Sequence, residues 1–188
     1  PIAFRYTTNS IFETKGSICF PRTGTNTYAL IAYLNSCVVQ KMLGVISPTL
    51  DYHEGPLRKV PCISLDFKEL GKIAASSISI SKSDWDAHET SWDFQRNELL
   101  SIDTDTYMEN IDYEIEKHFE KTGERICIDP AAPKLGNLEW RMEQYKLKWE
   151  RKFMQLHKNE EELNRQFIDI YGLQDELIPD VPLNEITI

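Results

Sequence analysis

Hydrophobic positions change their rhythm along this chain. At the N-terminus, Ala3-Phe-Arg-Tyr-Thr7 and Gly16-Ser-Ile-Cys-Phe20 are short, aromatic and β-branched. Thr8-Asn-Ser10 and Glu13-Thr-Lys-Gly16 punctuate them, a pattern that predicts a pair of short strands. Thr25-Asn26 then supplies an N-cap for an apolar helix from about Thr27 to Leu34, and a second helix through Val38–Leu43 follows. Pro48 cannot donate a backbone hydrogen bond and biases Ser47 away from helix, so Ser47-Pro-Thr49 ends the pair. Asp51-Tyr-His-Glu54 reads as extended, Gly55-Pro56 as a turn, and Val60-Pro-Cys-Ile63 as extended again.

From Asp66 the period becomes helical, with Phe67, Leu70, Ile73 and Ala74 on one stripe. Ser81 or Ser83 can cap a further turn containing Asp84-Trp85-Asp86. Residues 89–104 read as a polar loop, packed on the helices through Trp92, Phe94, Leu99 and Leu100. Tyr107, Ile111, Ile115 and Phe119 recur every four residues and mark a helix to Lys121. Asp129-Pro-Ala-Ala-Pro133 breaks the chain before a long helix. In that helix Met142, Trp149, Leu156, Leu163 and Ile170 repeat every seven residues, a stripe of about 40 Å. Packing against the helices at 66–80 and 107–121 is the expectation for that stripe, ahead of a free spacer helix. Gly172, after Tyr171, can take the left-handed angle that closes it. The expected class is therefore α+β, mainly α. A small mixed α/β part spans 1–63, a helical segment with a packed acidic loop 64–133, and a long amphipathic helix and tail 134–188.

Composition adds bounds. A chain of 188 residues, 41% hydrophobic and 27% charged, can bury a core as one large or two small domains. No apolar run approaches the roughly 18 residues of a membrane span, and no signal peptide opens the chain. The expectation is a cytoplasmic protein with no membrane partner. The chain opens on Pro1 rather than Met, so it is expected to begin inside a longer protein. Cys19, Cys37, Cys62 and Cys127 form no Cys-x-x-Cys pair and read as buried, reduced thiols.

The net charge of −9 argues against nucleic acid until its distribution is considered. Residues 1–63 sum to +3, residues 82–124 to −9, and residues 134–158 to +4. Phosphate responds to the field within a Debye length of roughly 10 Å. The first and third segments can therefore face DNA, and the middle one is repelled. Arg5, Lys15, Arg22, Arg58 and Lys59 are the candidate phosphate and base contacts, with Asn26 a candidate adenine reader. Trp85, Trp92 and Phe94 have rings that stack bases, but they sit in the acidic segment and are expected in a core. Asp51 with Asp66-Phe67-Lys68 imitates a nuclease's acid…acid-x-Lys pattern. That spacing is loose, and Lys68 falls on a solvated helix face. His53, His88, His118 and His157 lie in separate elements without a nucleophile and read as surface or supporting groups.

Several runs carry a family resemblance. Phe4-Arg5-Tyr6 with Ile11-Phe12-Glu and Gly16-Ser-Ile is one. Leu30-Ile-Ala-Tyr-Leu-Asn35-Ser-Cys-Val-Val39 is another, and Pro48-Thr-Leu-Asp-Tyr52 through Leu57-Arg-Lys-Val-Pro61 a third. The most specific are Asp84-Trp85-x5-Ser91-Trp92-Asp93-Phe94 and Asn159 to Leu177. Together they resemble the large adenine-specific DNA methyltransferases of bacterial phage defence, the PglX-like enzymes, and their fused restriction–modification relatives. The resemblance implies the distal part of a target-recognition domain over 1–63, joined to helical scaffold. It implies double-stranded DNA as partner, together with the methyltransferase domain of the same parent chain and other defence-system subunits. The Gly-rich turn that binds S-adenosylmethionine and the Asn-Pro-Pro-Tyr/Phe motif that grips the flipped adenine are both absent from the sequence. The cofactor is thus expected in the parent enzyme and none here, no metal and no catalytic residue are assigned, and this stretch alone should not methylate DNA. The alternative reading is a protein–protein interaction module that docks other subunits through its acidic middle and heptad helix.

Overall fold

The computed structural model describes residues 3–8, 11, 18–47, 54–63, 68–128 and 137–186. Among them every regular element is helical: α1 (Thr27–Asn35), α2 (Cys37–Ile46), the single turn α3 (Glu54–Leu57), α4 (Lys68–Ala87), α5 (Thr104–Thr122) and α6 (Leu138–Tyr171). A short 3-10 turn occupies Glu98–Ser101.

The expected α+β class, with its mixed N-terminal part, is overturned: the described residues contain no strand. The reason is visible at Phe4. The Asn35 side chain accepts from the Phe4 N–H at 2.8 Å and donates to the Phe4 carbonyl at 3.0 Å. One primary amide thus supplies both bonds that a neighbouring strand would have made. Residues 3–7 and 18–20 carry no regular structure, and residues 12–17 of the second expected strand lie outside the described residues. The Gly55-Pro56 turn is instead part of α3, where Pro56 falls in a first turn whose N–H groups have no intrahelical acceptor to lose. No new cap forms at Ser81 or Ser83, because α4 runs unbroken to Ala87.

Two compact units divide the chain, Pro1–Ser79 with Leu156–Thr187 and Ile80–Gln155 with Ile188. The first unit holds the main core. Ala29, Ala32 and Tyr33 come from α1, Val38, Val39 and Leu43 from α2, Leu70 and Ala74 from α4, and Leu163, Phe167 and Ile168 from α6. Ser36 sets the 60° bend between α1 and α2. Its hydroxyl donates to the Tyr33 carbonyl at 2.7 Å and accepts from the Val39 N–H at 3.4 Å, closing one helix and capping the next. Tyr33 and Tyr171 stack at 5.8 Å, and both hydroxyls donate to the Pro61 carbonyl at 2.6 Å. That double anchor holds residues 61–63 against the core. Gly172, at φ 66°, ends α6 with Leu173 N–H on the Ile168 carbonyl and its own N–H on that of Asp169. The tail beyond is tied back by His157 Nε2, 2.7 Å from the Val181 carbonyl.

In the second unit, buried Asn110 of α5 donates to the Gln144 backbone and side-chain oxygens of α6, both at 3.0 Å. Tyr107 tilts against Trp140 at 5.7 Å. Arg141 donates to the Leu99 carbonyl at 2.9 Å, which fixes the 3-10 turn on α6. Asp103 caps the start of α5 and Gly123, at φ 74°, its end. The heptad stripe is buried only in part: Leu156 and Leu163 are in the interior, while Met142 is 46% exposed. Cys19, Cys62 and Cys127 are exposed and Cys37 is half-buried, so the expectation of four buried thiols fails at three positions. No single helix among the described residues is long and apolar enough to cross a membrane.

Candidate nucleic-acid interface

Four of the six expected DNA contacts lie exposed in the first unit. Arg5 follows Phe4, whose backbone Asn35 holds at both ends. Arg22 begins a turn closed by Thr25 N–H on its carbonyl at 3.0 Å, with Gly24 at φ 88° providing the left-handed residue. Arg58 and Lys59 form the turn directly after α3, their N–H groups bonded to the Glu54 and Pro56 carbonyls at 3.0 Å. Each backbone is therefore fixed, and each side chain extends into solvent. Arg58 pairs with Glu54 at 2.8 Å, but the two side chains are 80% and 66% exposed, so the pair is weak and open to exchange. Among the described residues, no ion pair links Arg5, Arg22 or Lys59 to a carboxylate. No described hydrogen bond or ion pair joins Arg5 or Arg22 to the Arg58–Lys59 pair.

Asn26 is placed differently. Its side chain accepts from the Ala29 N–H at 3.1 Å as the α1 N-cap, and a Cβ added at Gly71 would meet its Nδ2 at 2.7 Å. Its acceptor is thus engaged inside the unit. Lys15 lies outside the described residues. Lys41, counted in the +3 segment but not among the candidate contacts, is exposed on α2, and the sequence reading missed the pairing of exposed Tyr6 with exposed Tyr28 at 5.7 Å.

The third charge segment behaves unlike the first. Lys148 pairs with Glu98 at 3.1 Å, both side chains largely buried, and Trp149 donates its indole N–H to the same carboxylate at 3.0 Å. Arg151 pairs with Glu109. Lys152 lies 4.6 Å above the Trp149 ring and donates to Ser83 at 2.8 Å. Burial, then the neighbouring Lys148 charge, pulls the Lys152 ammonium below the usual lysine range. Two cations of the +4 segment, Lys148 and Arg151, are therefore paired with carboxylates of the acidic middle inside the second unit, and Lys152 is held on Ser83 and the Trp149 ring.

The expectation of core packing also fails for two aromatics. Trp92 is 102% exposed and Trp85 57%, while Phe94 is half-buried. Asp51, Asp66 and His53 lie outside the described residues, and no group of metal-binding side chains occurs among the described ones.

Comparison with known proteins identifies the lineage. No protein-family model and no solved structure match the chain. It is 32% identical over 173 residues to the adenine-specific methyltransferase PglX of Lacticaseibacillus casei (strain Zhang), covering 92% of this chain and 12% of that protein. It is 35% identical over 92 residues to the adenine-specific methyltransferase BrxX of Escherichia coli O9:H4 (strain HS), covering 48% of this chain and 8% of that protein. The chain is a homologue of the PglX and BrxX adenine-specific methyltransferases. It spans about an eighth or less of the length of either relative. Two of the runs that first suggested the resemblance meet in the core. Tyr33 lies on Tyr171, and Asn164 accepts from the Cys37 N–H at 2.9 Å.

Proposed function

We propose that this chain is a DNA-contacting and scaffolding part of an adenine-specific DNA methyltransferase of the phage-defence type. The observation that carries the reading is the contrast between two basic segments. Arg5, Arg22, Arg58 and Lys59 project into solvent from backbones fixed by turns or clamps, which is what a phosphate-positioning contact requires. Lys148, Arg151 and Lys152 are engaged within their own unit and serve as scaffold. Homology to two adenine-specific methyltransferases supports duplex DNA as the polymer contacted.

Methyl transfer is assigned to other parts of the parent enzyme. The sequence offers no Gly-rich turn after a strand for S-adenosylmethionine and no Asn-Pro-Pro motif for the adenine, so the residues present do not fit that cofactor. Two assays on the purified chain test the reading: duplex binding by fluorescence anisotropy, and methylation of plasmid DNA with S-adenosylmethionine. Salt-sensitive binding without transfer is expected. Transfer above background would refute the assignment of catalysis, and absence of binding would refute the DNA contact.

A further inference from the structure

Trp92 sits in water on a braced turn. Its ring is 102% exposed, and the nearby Trp85 is 57% exposed. The backbone beneath is stepped by His88 N–H on the Trp85 carbonyl at 3.2 Å, Ser91 N–H on that of His88 at 2.9 Å, and Phe94 N–H on that of Ser91 at 3.3 Å. Ser91 is buried, donates its hydroxyl to Asp86 at 2.9 Å and accepts from the Asp93 N–H at 3.1 Å. Lys82 spans Asp86 at 2.6 Å and Asp93 at 2.9 Å. The residues on both sides of Trp92 are therefore tied down while the ring itself is left free. A ring presented in this way loses little conformational freedom on binding, and about 150–250 Å² of aromatic surface becomes available to an interface. Tryptophan is among the residues enriched at interface hot spots.

Charge identifies the occupant. Asp84, Asp86, Glu89 and Asp93 fall within the ten residues 84–93; Lys82 bridges Asp86 and Asp93, and among the described residues no ion pair engages Asp84 or Glu89. Duplex DNA is repelled by that field. A cationic surface is attracted to it. Among cations, the guanidinium is planar and weakly hydrated, stacks on an indole face and pairs with carboxylates beside it.

We propose that the Trp85–Trp92 edge of the second unit docks an arginine-bearing surface of a separate protein. An arginine lies on the Trp92 ring, and Glu89, which no described ion pair engages, provides the steering and flanking charge. This surface is distinct from the proposed DNA contacts, and the inference does not depend on them.

The test uses the full chain and a fluorescein-labelled eight-arginine peptide at roughly physiological ionic strength. Wild type is expected to bind. Trp92→Ala should weaken binding about tenfold, Trp92→Phe should retain most of it, and an eight-lysine peptide should bind more weakly than the arginine one. The exposed ring makes no fold contact to lose, so the thermal midpoint of Trp92→Ala should match wild type and serves as the folding control. Equal affinity of Trp92→Ala and wild type would overturn the proposal, leaving only a diffuse acidic field. So would Trp92-dependent self-association in sedimentation, or Trp92-dependent binding of duplex DNA.

Discussion

Asn164 reaches across 127 positions of sequence to accept a hydrogen bond from the Cys37 N–H at 2.9 Å, at the first turn of α2. The same amide donates to the Pro179 carbonyl at 3.3 Å. One side chain therefore satisfies an orphan helix donor and pins the C-terminal tail. Asn164→Ala should lower stability by about 1–3 kcal/mol, read as a shift in the urea midpoint. Asn164→Asp should recover part of that loss, because a carboxylate accepts well at a helix N-terminus but cannot donate to Pro179. A wild-type midpoint for the alanine variant would mean that the contact does not hold the unit together.

Tyr33 and Tyr171 share one acceptor, the Pro61 carbonyl. Burial, reinforced by the bond and charge of Tyr171, pushes the Tyr33 hydroxyl far above its ordinary range, so it stays a donor at any working pH. Either hydroxyl alone keeps Pro61 bonded. Tyr33→Phe and Tyr171→Phe should each cost about 0.5–1.5 kcal/mol, and the double variant more than their sum. Additive losses in the double-mutant cycle would show that the two hydroxyls act independently.

These contacts mark the limit of what the sequence revealed. The helices α4, α5 and α6 announce themselves through periods of three to four and seven, and Gly172 marks where the last one ends. The strands expected at 3–7 and 16–20 were inferred from local composition and the turn residues that punctuate it. Asn35, which takes the place of a strand partner for Phe4, is a tertiary relationship that no local window contains. Trp92 was assigned to a core because large aromatics usually bury, and only the braced turn around Ser91 places it in solvent. Exposed basic positions in the first unit were legible from charge clustering. Engagement of Lys148 and Arg151 by Glu98 and Glu109 was not, because those pairs join residues 42 or more positions apart.

Asp103 gives the second unit a defined acid sensitivity. Its carboxyl is held below the usual range by the Thr106 N–H, then by the Thr106 hydroxyl. A depressed folded value means the contribution is complete above the unfolded value, near 3.9, and is lost as pH falls through the depressed one. Asp103→Ala should cost about 1 kcal/mol at neutral pH. The gap between variant and wild type should narrow as pH falls through the depressed value, followed by circular dichroism at 222 nm during acid titration. A gap that persists at the lowest pH would assign the effect to something other than the charged cap.

Arg58 and Lys59 should separate binding from folding. Their side chains are exposed and the Arg58–Glu54 pair is solvent-screened, so replacing both with Ala should change stability by about 0.5 kcal/mol or less. Duplex binding should weaken across all sequences, and the salt slope should fall by about one to two units. A large drop in melting temperature with unchanged DNA affinity would make these residues structural instead.

The most direct test of the account is the dependence of duplex affinity on salt, compared between wild type and the variant with Arg5, Arg22, Arg58 and Lys59 all replaced by Ala. Four phosphate contacts predict a log–log slope of about −3 to −4 for wild type, at roughly 0.9 per phosphate. The fourfold variant should flatten that slope almost to zero, whereas Arg151→Ala should leave it unchanged. A variant that keeps the wild-type slope, or a wild type that fails to bind at about 50 mM salt, would contradict the claim that the first unit contacts DNA through these side chains.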